Sequence, residues 1–303
     1  VKKLLLVDFY ALFHRSRNAL MRSTGGLSTS YGVPTTGIYG FTNNLLSAID
    51  AEKPTHVTVC YDAGGNWRKE ADADYKANRG GGDSADWDDF RYEARAVLDE
   101  MLPALGIETV GIRGYEADDS IFTLSRDAID FDEVVIFTCD QDILQCVSDR
   151  TRVLLFNSAK KVFSMGLTEV IEKWGVTPSQ IPLVKALAGD GSDNVAGIKG
   201  VGGKTAAKIV QECQGSLEQI LSHKKVAEHV ELVRKNLPLV TSTYVSELQD
   251  TDFGSFELGQ GSLLETQQVF ARFEFNALAK RMKKISDALR LTANNPTKPY
   301  AVA

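Results

Sequence analysis

Four short runs rich in strand-forming residues, Leu4 to Val7, Val57 to Tyr61, Ile107 to Val110 and Val134 to Phe137, are separated by segments long enough to hold helices. Continuous apolar runs of this length suit strands buried on both faces, and helical crossovers let such strands lie parallel. The pattern predicts an α/β fold with a mostly parallel central sheet and helices on both faces. At 303 residues with 43% hydrophobic content the chain can bury a sizeable core.

Between the second and third runs, Phe90, Ala94, Val97, Leu98, Met101, Leu102 and Leu105 recur at helical spacing, which predicts an amphipathic helix. The preceding "RGGGDSADWDD" is glycine-rich and acidic, and Gly80 to Asp89 read as a mobile loop. "VLLFNSAKKVFSM" reads as a hairpin at the sheet edge. From about Leu167 the pattern is helical with short breaks, and "TANNPTKPYAVA" reads as a flexible tail. The expected organisation is a core over 1–185, a helical region over 186–290 and a tail over 291–303.

The four cysteines (Cys60, Cys139, Cys146 and Cys213) form no CxxC pair and suggest reduced thiols, hence a cytoplasmic setting. The N-terminal apolar run is short and interrupted by an acid, and no stretch reaches 18 apolar residues, so neither a signal peptide nor a membrane span is expected.

Acids follow the strand candidates. Asp8 closes the first run, Asp62 the second, and Asp140 and Asp142 follow the fourth in "FTCDQD". Ligands of open parallel sheets bind at the carboxyl ends of the strands, so these acids should converge. "GYEADDS" adds Glu116, Asp118 and Asp119, and "LAGDGSDN" adds Asp190 and Asp193. Nine carboxylates in one cleft repel by several kcal/mol unless cations neutralise them. Oxygen-only ligation selects hard divalent ions such as Mg²⁺ or Mn²⁺. Net charge is −6, from 40 acids and 34 bases; without the nine acids the rest is mildly basic, with 31 acids against 34 bases.

Basic segments accompany the acids. In "GIKGVGGKTAAKIV", Gly200 and Gly202 are expected to form a tight turn with positive φ before a helix that presents its N-terminal N–H groups to a phosphate. Lys204 and Lys208 share a helical face, with Lys199 just before the turn. "NWRKEADADYKANR" interleaves Arg68, Lys69, Lys76 and Arg79 with Trp67 and Tyr75, a pattern suited to phosphate pairing and base stacking. "LAKRMKKI" reads as a solvated helix face.

Together these residues resemble the flap endonuclease and 5′ nuclease family, which includes phage 5′ exonucleases and the nuclease domain of bacterial DNA polymerase I. The resemblance runs in family order from "LLLVDFYALFHR" through "VTVCYDAGGNWRKE", "DYKANR", "GYEADDS" and "TCDQDILQCV" to "LAGDGSDNVAGIKGVGGKTA", about residues 3 to 215. A stand-alone, phage-type enzyme is the nearest match. The resemblance implies a PIN-like nuclease core with an arch at about 68–104 and a helix-hairpin-helix DNA clamp at 197–210. It implies hydrolysis of DNA near 5′ ends, flaps and junctions, with RNA primers paired to DNA as further substrates, by a monomer using two metal ions. By match, Asp8, Asp62, Glu116 and Asp118 would hold the first metal, and Asp119, Asp140, Asp142 and Asp193 would complete the site with Asp190 in support. Lys76 and Arg79 would reach the scissile phosphate. Lys199, Gly200, Gly202, Lys204, Thr205 and Lys208 would form the clamp, where relatives often bind K⁺.

Two departures stand out. Phe9 replaces the family's usual small residue and is expected to alter reception of the 5′ nucleotide, and the arch region is acidic rather than basic. A non-catalytic junction binder and a ribonuclease are the competing readings.

Overall fold

The computed structural model describes residues 1–78, 84–157 and 162–293. Six strands, β1 (Lys3–Asp8), β2 (His56–Cys60), β3 (Glu108–Val110), β4 (Glu133–Thr138), β5 (Thr151–Phe156) and β6 (Val162–Met165), form one sheet in the order β3-β2-β1-β4-β5-β6. The first five are parallel and β6 runs antiparallel to β5. The predicted edge hairpin is present, with its connection, 158–161, outside the described residues.

Side chains of a strand alternate between the two faces, so β1 supplies both cores. Leu4 and Leu6 enter the core under α6 (Ala117–Asp127), α8 (Ile181–Ala188), α9 (Gly203–Glu212) and α11 (Val230–Val240). Leu5 and Val7 enter the opposite core, under α1 (Phe9–Thr24), α2 (Thr36–Glu52), α4 (Ser84–Ala96), α12 (Leu263–Arg272) and α14 (Met282–Leu289). Shorter helices complete the chain: α3 (Trp67–Ala71), α5 (Leu102–Ala104), α7 (Leu167–Trp174), α10 (Leu217–Ser222) and α13 (Asn276–Ala279).

The apolar pattern beginning at Phe90 is helical as expected, but the segment before it is not all loop. Helix α4 starts at Ser84, so residues 84–89 correct the loop reading, while 79–83 lie outside the described residues. Phe90 and Ala94 are seated in the core. Glu93, fully buried, accepts from Arg17 Nε of α1 (2.6 Å) and from the Gly37 N–H of α2 (2.7 Å). Of the acids in the first turns of α4, Asp86 pairs with Arg17 (2.7 Å), and Asp88 and Asp89 are exposed to water. After α4 the backbone widens into a π-turn at Val97–Met101 just before Pro103, which has no N–H to donate.

A two-stranded ribbon, β7 (Gly189–Asp190) with β8 (Val195–Ala196), links α8 to the turn before α9. Two backbones meet closely there. A Cβ on Gly197 would lie 2.1 Å from the Ala188 carbonyl oxygen, and Gly189 has φ +80°. Asn236 of α11 pins the ribbon, its Nδ2 donating to the carbonyls of Ala186 (3.0 Å) and Ala196 (2.7 Å). Gly200 adopts φ +83° as expected, but Gly202 does not: it is the extended N-cap of α9, with φ −83°. No helix among the described residues is long and apolar enough to cross a membrane.

Candidate active site

Strand order places β1 between β2 and β4, so the chain leaves the sheet in opposite directions on either side of β1. A crevice opens at such a point, and the acids gather there. Asp8 is both the last residue of β1 and the N-cap of α1; its Oδ1 accepts from Ala11 N (3.4 Å) and its Oδ2 from Thr138 Oγ1 (2.7 Å). Thr138, at the end of β4, also accepts from Asp140 N (2.9 Å), tying the two acid-bearing turns together. Asp62, after β2, accepts from the Ala117 N–H that opens α6 (2.7 Å). Glu116 is the N-cap of that helix and Asp118 lies in its first turn.

Burial raises the Asp8 carboxyl to about 7, with Asp140 and Asp62 adding repulsion. Asp118 is pushed up as well, by burial first and then by Asp8, Asp140 and Glu116. Glu116 differs. Burial opposes its ionisation, but Lys76 and Arg68 outweigh it and hold the carboxyl below its ordinary range.

Two lysines balance the rest of the cleft. Lys76 Nζ pairs with Glu116 Oε1 and stands 3.8 Å from Asp193 Oδ2. Its backbone takes the left-handed region (φ +54°), and its N–H donates to the Asp193 carbonyl (2.8 Å). Lys185, almost buried on α8, pairs with both Asp142 and Asp190. Burial and Asp140 raise Asp142 to about 7 even so, while Asp190, despite its burial, is drawn down to about 2 by Lys185 and Ser192. Oxygens of Asp142, Asp190 and Asp193 lie within 4.8 Å of one another. Tyr75 Oη sits 3.0 Å from Glu116 Oε2 and 2.9 Å from Asp193 Oδ2, so its single proton spans the two halves of the cluster.

Several sequence expectations are corrected. Asp119 does not face the cleft: it is fully buried, its two oxygens take a bidentate pair from Arg68 (2.7 Å each), and it also accepts from Thr243 N (2.7 Å). Arg68 is therefore a buried strut, not a nucleic-acid contact; it also donates to the carbonyls of Leu239 (3.1 Å) and Thr241 (2.8 Å). Tyr75, 2% exposed, offers no stacking surface. Phe9 points into the core against Phe13 and Phe41, away from the cleft. His14 stacks on Phe90 at 4.2 Å. Arg79 lies outside the described residues.

The remaining basic candidates stay at the surface. Lys69, Lys199, Lys204 and Lys208 are exposed, Thr205 is half-buried, and Lys208 meets Glu212 at 3.8 Å. A cavity of about 1170 Å³ separates α1, through His14 and Arg15, from Lys185 and the ribbon, with Asp140 and Asp142 among its lining.

Sequence reasoning missed Lys185 and Thr138. A lone cation in the apolar run "IPLVKALA", five residues before Asp190, is a signal that could have found the first; a threonine closing a strand offers none. For divalent cations the donor set fits, since the ligands are all carboxylates and three of them are raised by burial, with repulsion from their neighbours adding to it.

A parallel-sheet crevice lined with carboxylates, beside exposed lysines at the start of a helix, suits the chemistry of nucleases. The family model described as 5′-3′ exonuclease, N-terminal resolvase-like domain matches residues 3–175, and that of the C-terminal SAM fold of the same exonucleases matches residues 176–248. The chain belongs to the 5′-3′ exonuclease family. It is 33% identical to the 5′-3′ exonuclease of Bacillus subtilis over 256 residues, 78% of this chain and 85% of that one. It is 31% identical to DNA polymerase I of Chloroflexus aurantiacus over 319 residues, 99% of this chain but only 33% of the polymerase. The fold is that of T5 5′-exonuclease, solved with zinc ions bound (TM-score 0.64, 20% identity, 95% of this chain and 100% of that one). It is also that of flap endonuclease-1 from Methanococcus jannaschii (TM-score 0.59, 18% identity, 95% and 91%).

Proposed function

We propose that the protein hydrolyses DNA phosphodiester bonds near 5′ ends and at flap junctions, depends on Mg²⁺ or Mn²⁺, and leaves 5′-phosphorylated products. The observation that carries this reading is the convergence of eight carboxylates, Asp8, Asp62, Glu116, Asp118, Asp140, Asp142, Asp190 and Asp193, from separate stretches of chain at the carboxyl edge of one sheet. Asp8, Asp62, Glu116, Asp118 and Asp140 would hold one cation, and Asp142, Asp190 and Asp193 a second. Bound there, the cations would acidify a water and neutralise charge on the phosphoryl oxygens.

The chain's own groups do the positioning. Thr138 holds Asp8 in register with Asp140, and Lys185 draws Asp142 and Asp190 together. Lys76, among the acids in the absence of DNA, is placed to stabilise negative charge on a phosphate entering the same space. Lys199, Lys204 and Lys208 flank the turn before α9 and suit a duplex backbone, with K⁺ as a candidate ion at that turn. RNA paired to DNA is a further candidate substrate, and a monomer the working state.

A labelled 5′-flap duplex and a blunt duplex of the same sequence, incubated with Mg²⁺ or EDTA, test the reading. Cutting at the flap junction should require the metal, and Asp140→Asn should lower its rate by at least ~100-fold with DNA binding retained. Binding without cutting in both Mg²⁺ and Mn²⁺ would leave a junction-binding protein instead.

A further inference from the structure

A second cavity, of about 470 Å³, lies where α6 ends and the turn into α8 begins. Val134 and Thr151, the starts of the β4 and β5 pairing, line it, so it opens at the edge of the sheet opposite the carboxylate cleft. Its volume is that of a small-molecule site.

The lining has a definite chemistry. Phe122, Leu167 and Pro178 supply apolar walls, two exposed arginines, Arg126 and Arg150, stand among them, and none of the described lining residues is acidic. In a chain with 40 acids and a net charge of −6, such a pocket favours an anion.

Both guanidiniums are oriented by the protein. Arg126 lies over the Phe122 ring, 5.3 Å from its centroid, and Arg150 Nη1 donates to the Ile129 carbonyl (2.7 Å). A guanidinium carries five N–H donors, so one backbone bond leaves Arg150 able to grip an oxyanion. Ser148 Oγ accepts from the N–H groups of Arg150 (3.3 Å) and Thr151 (3.1 Å), which leaves its own hydroxyl proton as a donor. Of the acids nearby, Asp127 is engaged by the Tyr244 hydroxyl (2.6 Å) and Asp132 by the Lys2 N–H (2.6 Å), while Asp149, between Ser148 and Arg150 in the chain, is exposed to water and does not line the cavity.

We propose that this cavity binds a small phosphomonoester of about mononucleotide size. Its phosphate rests on Arg126 and Arg150, and its apolar body lies against Phe122, Leu167 and Pro178. Two guanidiniums with adjoining hydroxyls supply donors for three oxygens, which suits a phosphate better than a carboxylate.

Calorimetric titration in EDTA tests this without turnover, so its result is independent of the nuclease reading. The probes are 5′-dAMP, deoxyadenosine, ribose 5-phosphate and inorganic phosphate. 5′-dAMP should bind and deoxyadenosine should not; ribose 5-phosphate binding as well as 5′-dAMP would support the phosphomonoester and drop the base. Arg126→Ala with Arg150→Ala should weaken 5′-dAMP at least ~10-fold, and the Arg→Lys pair should fall between. Asp140→Asn should bind as wild type, and flap cleavage by the double alanine variant should be unchanged, which also reports its folding. No heat with any phosphate, binding that survives the double alanine substitution, or binding lost in Asp140→Asn would overturn the proposal.

Discussion

Individual side chains in this protein are sorted by burial more than by type. Arg68 and Lys69 are neighbours, yet one is buried on Asp119 and the other exposed. The sequence shows two equivalent cations; only the packing of α3 against α6 and the end of α11 decides between them. Removing one member of a buried ion pair leaves the other uncompensated and costs about 3–5 kcal/mol. Arg68→Ala should therefore lower stability by that order in urea unfolding, whereas Lys69→Ala should leave it unchanged and weaken DNA binding. Equal effects on stability would refute the strut role. Lys185 follows the same logic: one buried ammonium serves two carboxylates, and its place five residues before Asp190 puts it across the end of α8 from the ribbon.

At the level of elements, two devices set the geometry around the cleft. The first is the close backbone contact at the ribbon. Because a Cβ on Gly197 would meet the Ala188 carbonyl oxygen at 2.1 Å, Gly197→Ala should displace the ribbon, lowering stability by ~1–3 kcal/mol and weakening duplex binding. Gly203→Ala is the control for stability, since a Cβ there meets nothing within 4 Å. The second is Glu93, through which α4 is bonded to both α1 and α2. Glu93→Gln removes one of the two carboxylates that balance the buried Arg17, the other being Asp86 at 2.7 Å, and amide exchange along α4 should quicken while that of β1 and β4 stays slow. Uniform exchange would show that α4 does not hang on this contact. The helical pattern from Phe90 was legible, but its true start at Ser84 was not. Glycines and acids look like a loop until the buried face of the helix is seen to carry the structure, with Asp86 paired to Arg17 and Asp88 and Asp89 exposed.

For the whole molecule, the carboxylate cluster trades stability against metal binding. Asp8 and Asp142, ordinarily ionising near 4, are raised to about 7. Between those values the folded state binds protons that the unfolded chain has released, so stability falls as pH rises from about 4 to 7 and is flat for these groups above that. Asp190, lowered to about 2, acts in the opposite sense but only below about pH 4. Divalent ions should relieve the repulsion, so the rise in Tm on adding Mg²⁺ should grow from pH 5 to pH 8; a rise independent of pH would disconnect the cluster from stability. The sheet, its layers and the identity of most cleft acids were written in the sequence, because strand burial imposes a local apolar pattern and acids at strand ends share one edge whatever the loops between them do. Which acids face the cleft, which lysines neutralise them, and that Asp119, Arg68 and Tyr75 turn inward were decided only by tertiary structure. A side chain's direction and partners depend on residues far along the chain, such as the Leu239 carbonyl, 171 positions away, that receives Arg68, and no local pattern encodes such a pairing.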